Sequence, residues 1–259
     1  MSTVNPTTCF IPAFKKNCRF QDDLVRKLVG VQLIQRTIEI ARSFGLPALD
    51  VHLLTDSEEI ELIGIRAGIR VYRNSSLEWS ADALKGELGE YISAVEHNQS
   101  FSILLSPYAP FLKGKAFSEA VDKFLDSRTH VLQAVRSEKC SLYAGSQQEA
   151  ESVIVGDRAQ PQLVRSNTFM FIRAGLLTKA FGKNLRVMPF PVGDDAIEIR
   201  SLRDWWVCEK LMQRRRIVFR VIGNDQVGMG HIYRALSLAH DMTDHEVLFV
   251  TDKDNLSPD

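Results

Sequence analysis

Long apolar runs are missing from this sequence. None approaches the roughly 20 residues that a helix needs to cross a bilayer, so nothing predicts insertion into a membrane. The opening "MSTVNPTTCFIPAFKKN" has no basic start followed by a long apolar region and does not read as a signal peptide. An excess of either charge is missing too, since 32 Lys and Arg balance 32 Asp and Glu. That balance argues against nucleic acid or an anionic membrane as a partner. Cysteine is scarce. The four residues Cys9, Cys18, Cys140 and Cys208 are scattered without CxxC spacing. They argue against a zinc site or a disulfide framework and fit reduced thiols in a cytoplasm. Internal repeats and low-complexity tracts are also missing.

What is present reads as an ordinary globular chain, 45% apolar and 25% charged over 259 residues, with room for one large domain or two small ones. Apolar runs alternate with helical patterns. "TCFIPA", "DVHLLTD", "IRVYR" and "SFSILLSP" read as strands, and "HVLQAVRSE", "NTFMFIRA" and "LRVMPFPV" continue the set. Between them, "LIQRTIEIARSFG", "SEEIELIGIRAG", "ADALKGELGEYISAVEHN" and "GKAFSEAVDKFLDSR" carry helical spacing. Ser57 is a candidate N-cap, and Gly45 and Gly68 close their helices. Strands alternating with helices predict an α/β fold, a doubly wound and mostly parallel sheet. The less regular region from Val131 to Val192 predicts an inserted subdomain or an antiparallel extension. A helix, "SLRDWWVCEKLMQRR", ends in the basic run from Gln213 to Arg216, which marks a boundary and also suits a helix C-terminal dipole.

In such folds ligands bind at the carboxyl ends of strands, where strand order reverses. The loop after "CFIPA" is the first such place, with Lys15, Lys16, Arg19, Arg26 and Lys27 in it. Basic side chains and backbone amides there suit a nucleoside triphosphate, and a solvated surface loop is the structural alternative.

The order of segments resembles the cytidylyltransferases that activate acidic sugars, the CMP-sialic-acid and CMP-KDO synthetase family. Its pattern runs IPAR, a basic loop, KNL, STDDEEIA, LLQPTSPLR, NGAIY and EIDTPED. Ile11, Pro12 and Ala13 match the first motif, Lys27 and Leu28 the KNL position, and Thr55, Asp56, Glu58, Glu59 and Ile60 the next. Pro107 and Pro110, Asn167, and Glu198, Ile199 and Asp204 match the remainder, so the resemblance spans residues 1–212. The segments "IPAFKKN", "FQDDLV" and "LSPYAP" resemble a divergent polysaccharide-biosynthesis branch.

The resemblance implies a nucleotide-diphospho-sugar transferase-like domain that transfers CMP from CTP to an acidic, nonulosonic-type sugar with release of pyrophosphate. It implies Mg²⁺ as cofactor, held by Glu198 and Asp204, and Lys27 as a catalytic contact. Ala13, Lys15, Lys16, Arg19, Asp56, Ser106 and Asn167 would bind substrate, and Asp82 matches a further polar position that equally suits a helix start. It also implies a cytoplasmic enzyme, with a homodimer as its common assembly. Three positions depart from the pattern: Phe14 replaces its arginine, Ser106 its glutamine, and Arg200 the metal-binding aspartate. Glu198 or Asp204 then takes the metal, or the CTP site is rearranged, or the domain is a degenerate nucleotide- or sugar-binding scaffold.

Residues 213–259 open a second unit. "VIGNDQVGMGHIYRALSLAHD" resembles the first active-site turn of the UDP-sugar hydrolases of pseudaminic-acid and spore-coat polysaccharide synthesis, with Gly228, Gly230, His231 and Arg234 matching. Glycines let backbone approach a diphosphate, and a helix N-terminus favours its charge. The resemblance implies that His231 activates water in a complete domain; otherwise it is a helix-start residue. One Rossmann-like βαβ unit cannot bury its own sheet faces, so the expectation is a truncated bifunctional protein whose second part is inactive.

Overall fold

Parallel strands buried on both faces need apolar residues, and "TTCFIP" meets that demand over "CFIP", after two buried threonines. In the computed structural model it forms β1 (Thr7–Pro12) near the middle of the main sheet. The structure describes residues 7–46, 49–97, 99–138, 143–145, 150–152, 162–178, 185–193, 196–222 and 229–251. Two compact units, Met1–Asp204 and Trp205–Asp259, divide inside the helix α5 (Leu202–Gln213).

In chain order the first unit also has β2 (Lys27–Leu28), β3 (Val31–Gln32), β4 (Leu49–Thr55), β5 (Arg70–Arg73), β6 (Phe101–Leu105) and β7 (Val131–Glu138). After these come β8 (Tyr143–Gly145), β9 (Ala150–Ser152), β10 (Gln162–Arg173) and β11 (Val187–Pro191). Its helices are α1 (Leu33–Ser43), α2 (Glu58–Arg66), α3 (Glu87–Glu96) and α4 (Gly114–Asp126). The seven-stranded sheet runs β11-β7-β10-β6-β1-β4-β5. Every neighbouring pair is parallel except those of β10, which runs against both β6 and β7. The expected α/β sheet, doubly wound and mostly parallel, is therefore present.

Helices cover both faces. Against one face, α4 turns Phe117, Ala120, Val121 and Phe124 inward, and its rings meet Phe101, Phe169 and Phe171. Phe44, at the end of α1, stacks on Phe117. Alternate residues of the same strands serve the other face, where Phe10, Leu54, Val131 and Ile172 pack with Leu84, Leu88 and Ile92 around α3.

Two details differ from the expectation. The single helix read across "ADALKGELGEYISAVEHN" is a 3₁₀ turn, Ala83–Lys85, followed by α3. Gly86 takes a non-helical backbone between them, and the Leu84 carbonyl occupies the space where a side chain on Gly89 would stand. Ser57 sits at the N-cap of α2 without a side-chain cap bond; its amide instead donates to Thr55 Oγ1 at 3.1 Å. The region from Val131 onward, expected as an inserted subdomain or an antiparallel extension, is the second in its described part: β10 runs antiparallel to β6 and β7 in the main sheet, β11 adds beside β7, and only β8 and β9 pair apart.

The second unit pairs β12 (Arg216–Arg220) with β13 (Glu246–Val250) in parallel, joined through α6 (Gly230–Asp241). The helix packs Ile232 and Ala235 with Val221, Phe219 and Phe249. The sheet residues that point the other way, Val218, Leu248 and Val250, are 55%, 40% and 50% exposed. No helix among the described residues is long and apolar enough to cross a membrane.

These packings set two expectations. Phe117 is fully buried among rings, so Phe117→Ala costs about 3–5 kcal/mol in denaturant unfolding of the main transition. A two-stranded sheet with one bare face opens cheaply, so amides of β12 exchange faster than those of β6. Equal protection across both strands would contradict the second.

Candidate functional site

Strand order reverses between β1 and β6, since the chain proceeds from β1 outward to β4 and β5 and then returns to the other side of β1. Two chain segments diverge at the carboxyl ends of that pair and leave a crevice. A cavity of about 230 Å³ lies there. Pro12 and Phe14 enter it from the end of β1, Leu104, Ser106, Pro107 and Tyr108 from the end of β6, and Gln133 from β7.

The fourth wall is a bulge. Arg165 of β10 pairs with Val135, but the next pair of the two strands is Met170 with Gln133, so the residues between leave the ladder. Bulges re-aim side chains, and this one sends Arg165, Asn167 and Phe169 to the cavity. The Gln133 amide supports it by donating to the Ser166 carbonyl at 2.8 Å and the Ala134 carbonyl at 3.0 Å.

The remaining wall joins two loops. Asp56, just past β4, accepts the backbone amides of Lys15 and Lys16 at 2.6 and 3.1 Å, one on each oxygen. Lys16 Nζ donates to the carbonyls of Ser75 and Ser76, both at 2.9 Å, and Asn17 Oδ1 accepts the Trp79 amide at 2.7 Å. Asn17 and Trp79 thereby become part of the cavity wall.

Arg19 is the most constrained cation in the site. Its Nη2 lies 2.7 Å from Glu198 Oε1, its Nη1 donates to the Ile199 carbonyl, and its guanidinium lies 4.1 Å from the centre of the Tyr108 ring. The Arg19 amide donates to Asp23, which also accepts the Tyr108 hydroxyl at 3.0 Å. Burial, reinforced by Asp23, pushes the Tyr108 hydroxyl well above its ordinary pKa. Burial acts on Glu198 in the same upward direction, but the hydrogen bond and charge of Arg19 outweigh it, together with Arg200 and Asn167, and the carboxyl ends below its ordinary pKa.

Of the residues expected at the site, Arg19, Ser106 and Asn167 line the cavity. Ala13 is buried at its edge, its amide bonded to the Leu54 carbonyl. Lys15 is turned to Glu59 at 2.7 Å, Lys16 braces the neighbouring loop, and Asp56 acts from beneath as the anchor of both amides. Lys27 is exposed on the β2–β3 hairpin and is not among the lining residues. Asp82 faces Lys85 at the surface. In the second unit Gly230 and His231 open α6, both exposed, with His231 Nδ1 3.4 Å from Arg234; Gly228 lies outside the described residues.

The sequence reading missed Asn17, Trp79, Tyr108, Gln133 and Arg165. Tyr108 was within reach, because it sits inside the quoted "LSPYAP". The others depend on a bulge and on loop contacts that leave no local signal.

Glu198 and Asp204 do not fit the Mg²⁺ site expected of them. Glu198 has Arg19 on one oxygen and Arg200 Nε at 3.4 Å from the other. Asp204 Oδ2 accepts the Arg200 amide at 2.8 Å and the Ser201 hydroxyl at 3.1 Å, which caps the helix. No group of three or more His, Cys, Asp or Glu able to hold a metal ion occurs among the described residues.

Comparison of the chain with solved structures resolves the architecture. A CMP:2-keto-3-deoxy-manno-octonic acid synthetase complexed with CTP superposes with a TM-score of 0.63 and 14% identity, over 80% of this chain and 98% of that one. This chain has the fold of the cytidylyltransferases. The 4-diphosphocytidyl-2C-methyl-D-erythritol synthase of Anaerococcus prevotii matches with a TM-score of 0.59 and 11% identity, over 82% of this chain and all of that one. A further synthase of that name matches at 0.61 and 10%, with the same coverage. No protein-family model and no curated protein matches the sequence. The cytidylyltransferase fold is thus reached here with few residues in common, as sheet order and burial pattern allow.

The Arg19–Glu198 pair has a pH signature. A depressed folded pKa contributes stability above the unfolded value that is lost as pH falls through the folded one. Glu198→Gln therefore lowers stability by about 1.5–3 kcal/mol at neutral pH, and its gap to wild type closes on acidification. Melting curves over the acid range read this; a gap independent of pH would show that the carboxylate charge is not engaged.

Proposed function

We propose that this chain is a cytidylyltransferase that moves CMP from CTP to an acidic sugar for surface polysaccharide and releases pyrophosphate. The observation that carries the reading is the charge of the cavity. Among the described residues, its lining has two guanidinium groups, Arg19 and Arg165, four aromatic rings and three side-chain amides, and no carboxylate. That composition suits an anionic ligand with a flat, stackable part. The fold supports it, since the synthetase that superposes on this chain is itself complexed with CTP.

In the reaction an acceptor hydroxyl oxygen bonds to the α-phosphorus, the bond to pyrophosphate breaks, and the hydroxyl proton passes to solvent. The protein's part is positioning and charge. Arg19, locked by Glu198, Ile199 and Tyr108, meets the phosphates without further ordering, and Trp79 and Phe14 offer faces for the base. Arg165, exposed on the bulge and without an ion-pair partner among the described residues, faces the carboxylate of the acceptor. Ser106, Asn17 and Asn167 supply neutral hydrogen bonds. Cys9 and Cys18, outside any disulfide, support a cytoplasmic setting. A homodimer is part of the same proposal. We read the second unit as the nucleotide-sugar end of a UDP-sugar hydrolase-like fold, with Gly230 and His231 at the N-terminus of α6 as support.

The test is pyrophosphate release from CTP with 2-keto-3-deoxy-manno-octonic acid and sialic acid as acceptors, with UTP and ATP as controls. Arg19→Ala weakens CTP binding by about 1.5–3 kcal/mol, while Arg165→Ala raises the acceptor KM and leaves CTP affinity in place. CTP binding without release for any acidic acceptor would favour a scaffold over an enzyme.

A further inference from the structure

A divalent cation such as Mg²⁺ is held in proteins by oxygen ligands, chiefly carboxylates facing the ligand they share it with. Among the described residues, the carboxylates around this cavity face elsewhere. Asp56 spends one oxygen on each of two backbone amides, 2.6 Å from Lys15 N and 3.1 Å from Lys16 N. Asp23 accepts from the Arg19 amide and the Tyr108 hydroxyl; its second oxygen has no partner, but the residue is fully buried and outside the cavity lining. Glu198 has 2% of its side chain exposed and a guanidinium group on each oxygen. A cation could reach Glu198 only by displacing Arg19, which the Ile199 carbonyl and the Tyr108 ring hold in addition, or Arg200 on the other oxygen.

The guanidinium groups, in contrast, are numerous. Arg19 and Arg165 line the cavity, and Arg200 stands one carboxylate away, behind Glu198, which also lies 3.4 Å from the Asn167 amide of the lining. Arg19, Glu198 and Arg200 together leave one positive charge in fixed position, and Arg165 adds a second.

We infer that this cavity binds its polyphosphate ligand without a protein-bound divalent cation, the Arg19–Glu198–Arg200 cluster and Arg165 supplying the positive charge in its place. This deepens the nucleotidyl-transfer reading and rests on it for the nature of the ligand.

Titration calorimetry of the whole chain with CTP and with inorganic tripolyphosphate, each in EDTA and in Mg²⁺, tests it. Wild type is expected to bind both anions in EDTA no more weakly than in Mg²⁺. Arg200→Asp removes a cation and sets a second carboxylate beside Glu198, so its binding becomes Mg²⁺-dependent, about tenfold weaker in EDTA. Arg200 is half exposed at its side chain, and a thermal melt establishes that this variant folds. Wild-type binding that requires Mg²⁺ overturns the inference, and so does an Arg200→Asp variant that responds to Mg²⁺ as wild type does. Tripolyphosphate binding in EDTA without CTP binding would sustain the inference and overturn the cytidylyl reading. Binding of neither anion under any condition would overturn both.

Discussion

A glutamate with 2% of its side chain exposed has lost nearly all its water, and only close positive charge or hydrogen bonds can offset that loss. Glu198 finds both in Arg19, 179 residues away in sequence. The bond draws the loop after β1 against the segment that precedes Leu202, and its neighbours follow. The Arg19 guanidinium settles on Tyr108, Tyr108 reaches Asp23, and the Ile199 amide returns to the Tyr108 carbonyl at 2.9 Å. Asn167, on the β10 bulge, lies 3.4 Å from the same carboxylate. One buried ion pair thus fixes three walls of the cavity, and its removal would leave an uncompensated charge inside the protein.

The same economy governs the other acids of the site. Asp56 orders the Lys15–Asn17 turn through its amides, and the lysine side chains of that turn are spent on Glu59 and on the loop carbonyls at Ser75 and Ser76. Carboxylates therefore build the walls while arginines and amides furnish the interior. This division of labour explains how a basic loop can shape an anion site although its two lysines point away from it.

Much of the fold was legible because it depends on patterns that survive any choice of neighbours. The runs "DVHLLTD" and "SFSILLSP" could only be buried strands, and the apolar stripe of "GKAFSEAVDKFLDSR" could only face a sheet. The break in the expected long helix was harder to see, since Gly86 and Gly89 fit a helix in isolation and matter only because the Leu84 carbonyl crowds one of them. The region after Val131 left two readings open because β10 inserts between β6 and β7 while β11 pairs with the far edge of β7, pairings that lie far apart in sequence. At the site, Arg19, Ser106 and Asn167 were visible from motif order. Trp79, Gln133 and Arg165 were not, since a bulge and a loop clasp bring them in.

The sequence by itself determined the alternation of strands and helices, the crevice at the carboxyl ends of the strands, and the inversion of charge at Arg200. Those follow from local spacing and residue chemistry, which need no partner to be read. Only the tertiary structure decided which charges meet. Glu198 became a partner of Arg19 and Arg200, Asp204 became a helix cap, and Lys27 went to the surface. Electrostatic pairing is set by distance and burial, and both exist only once the sheet has brought remote segments together.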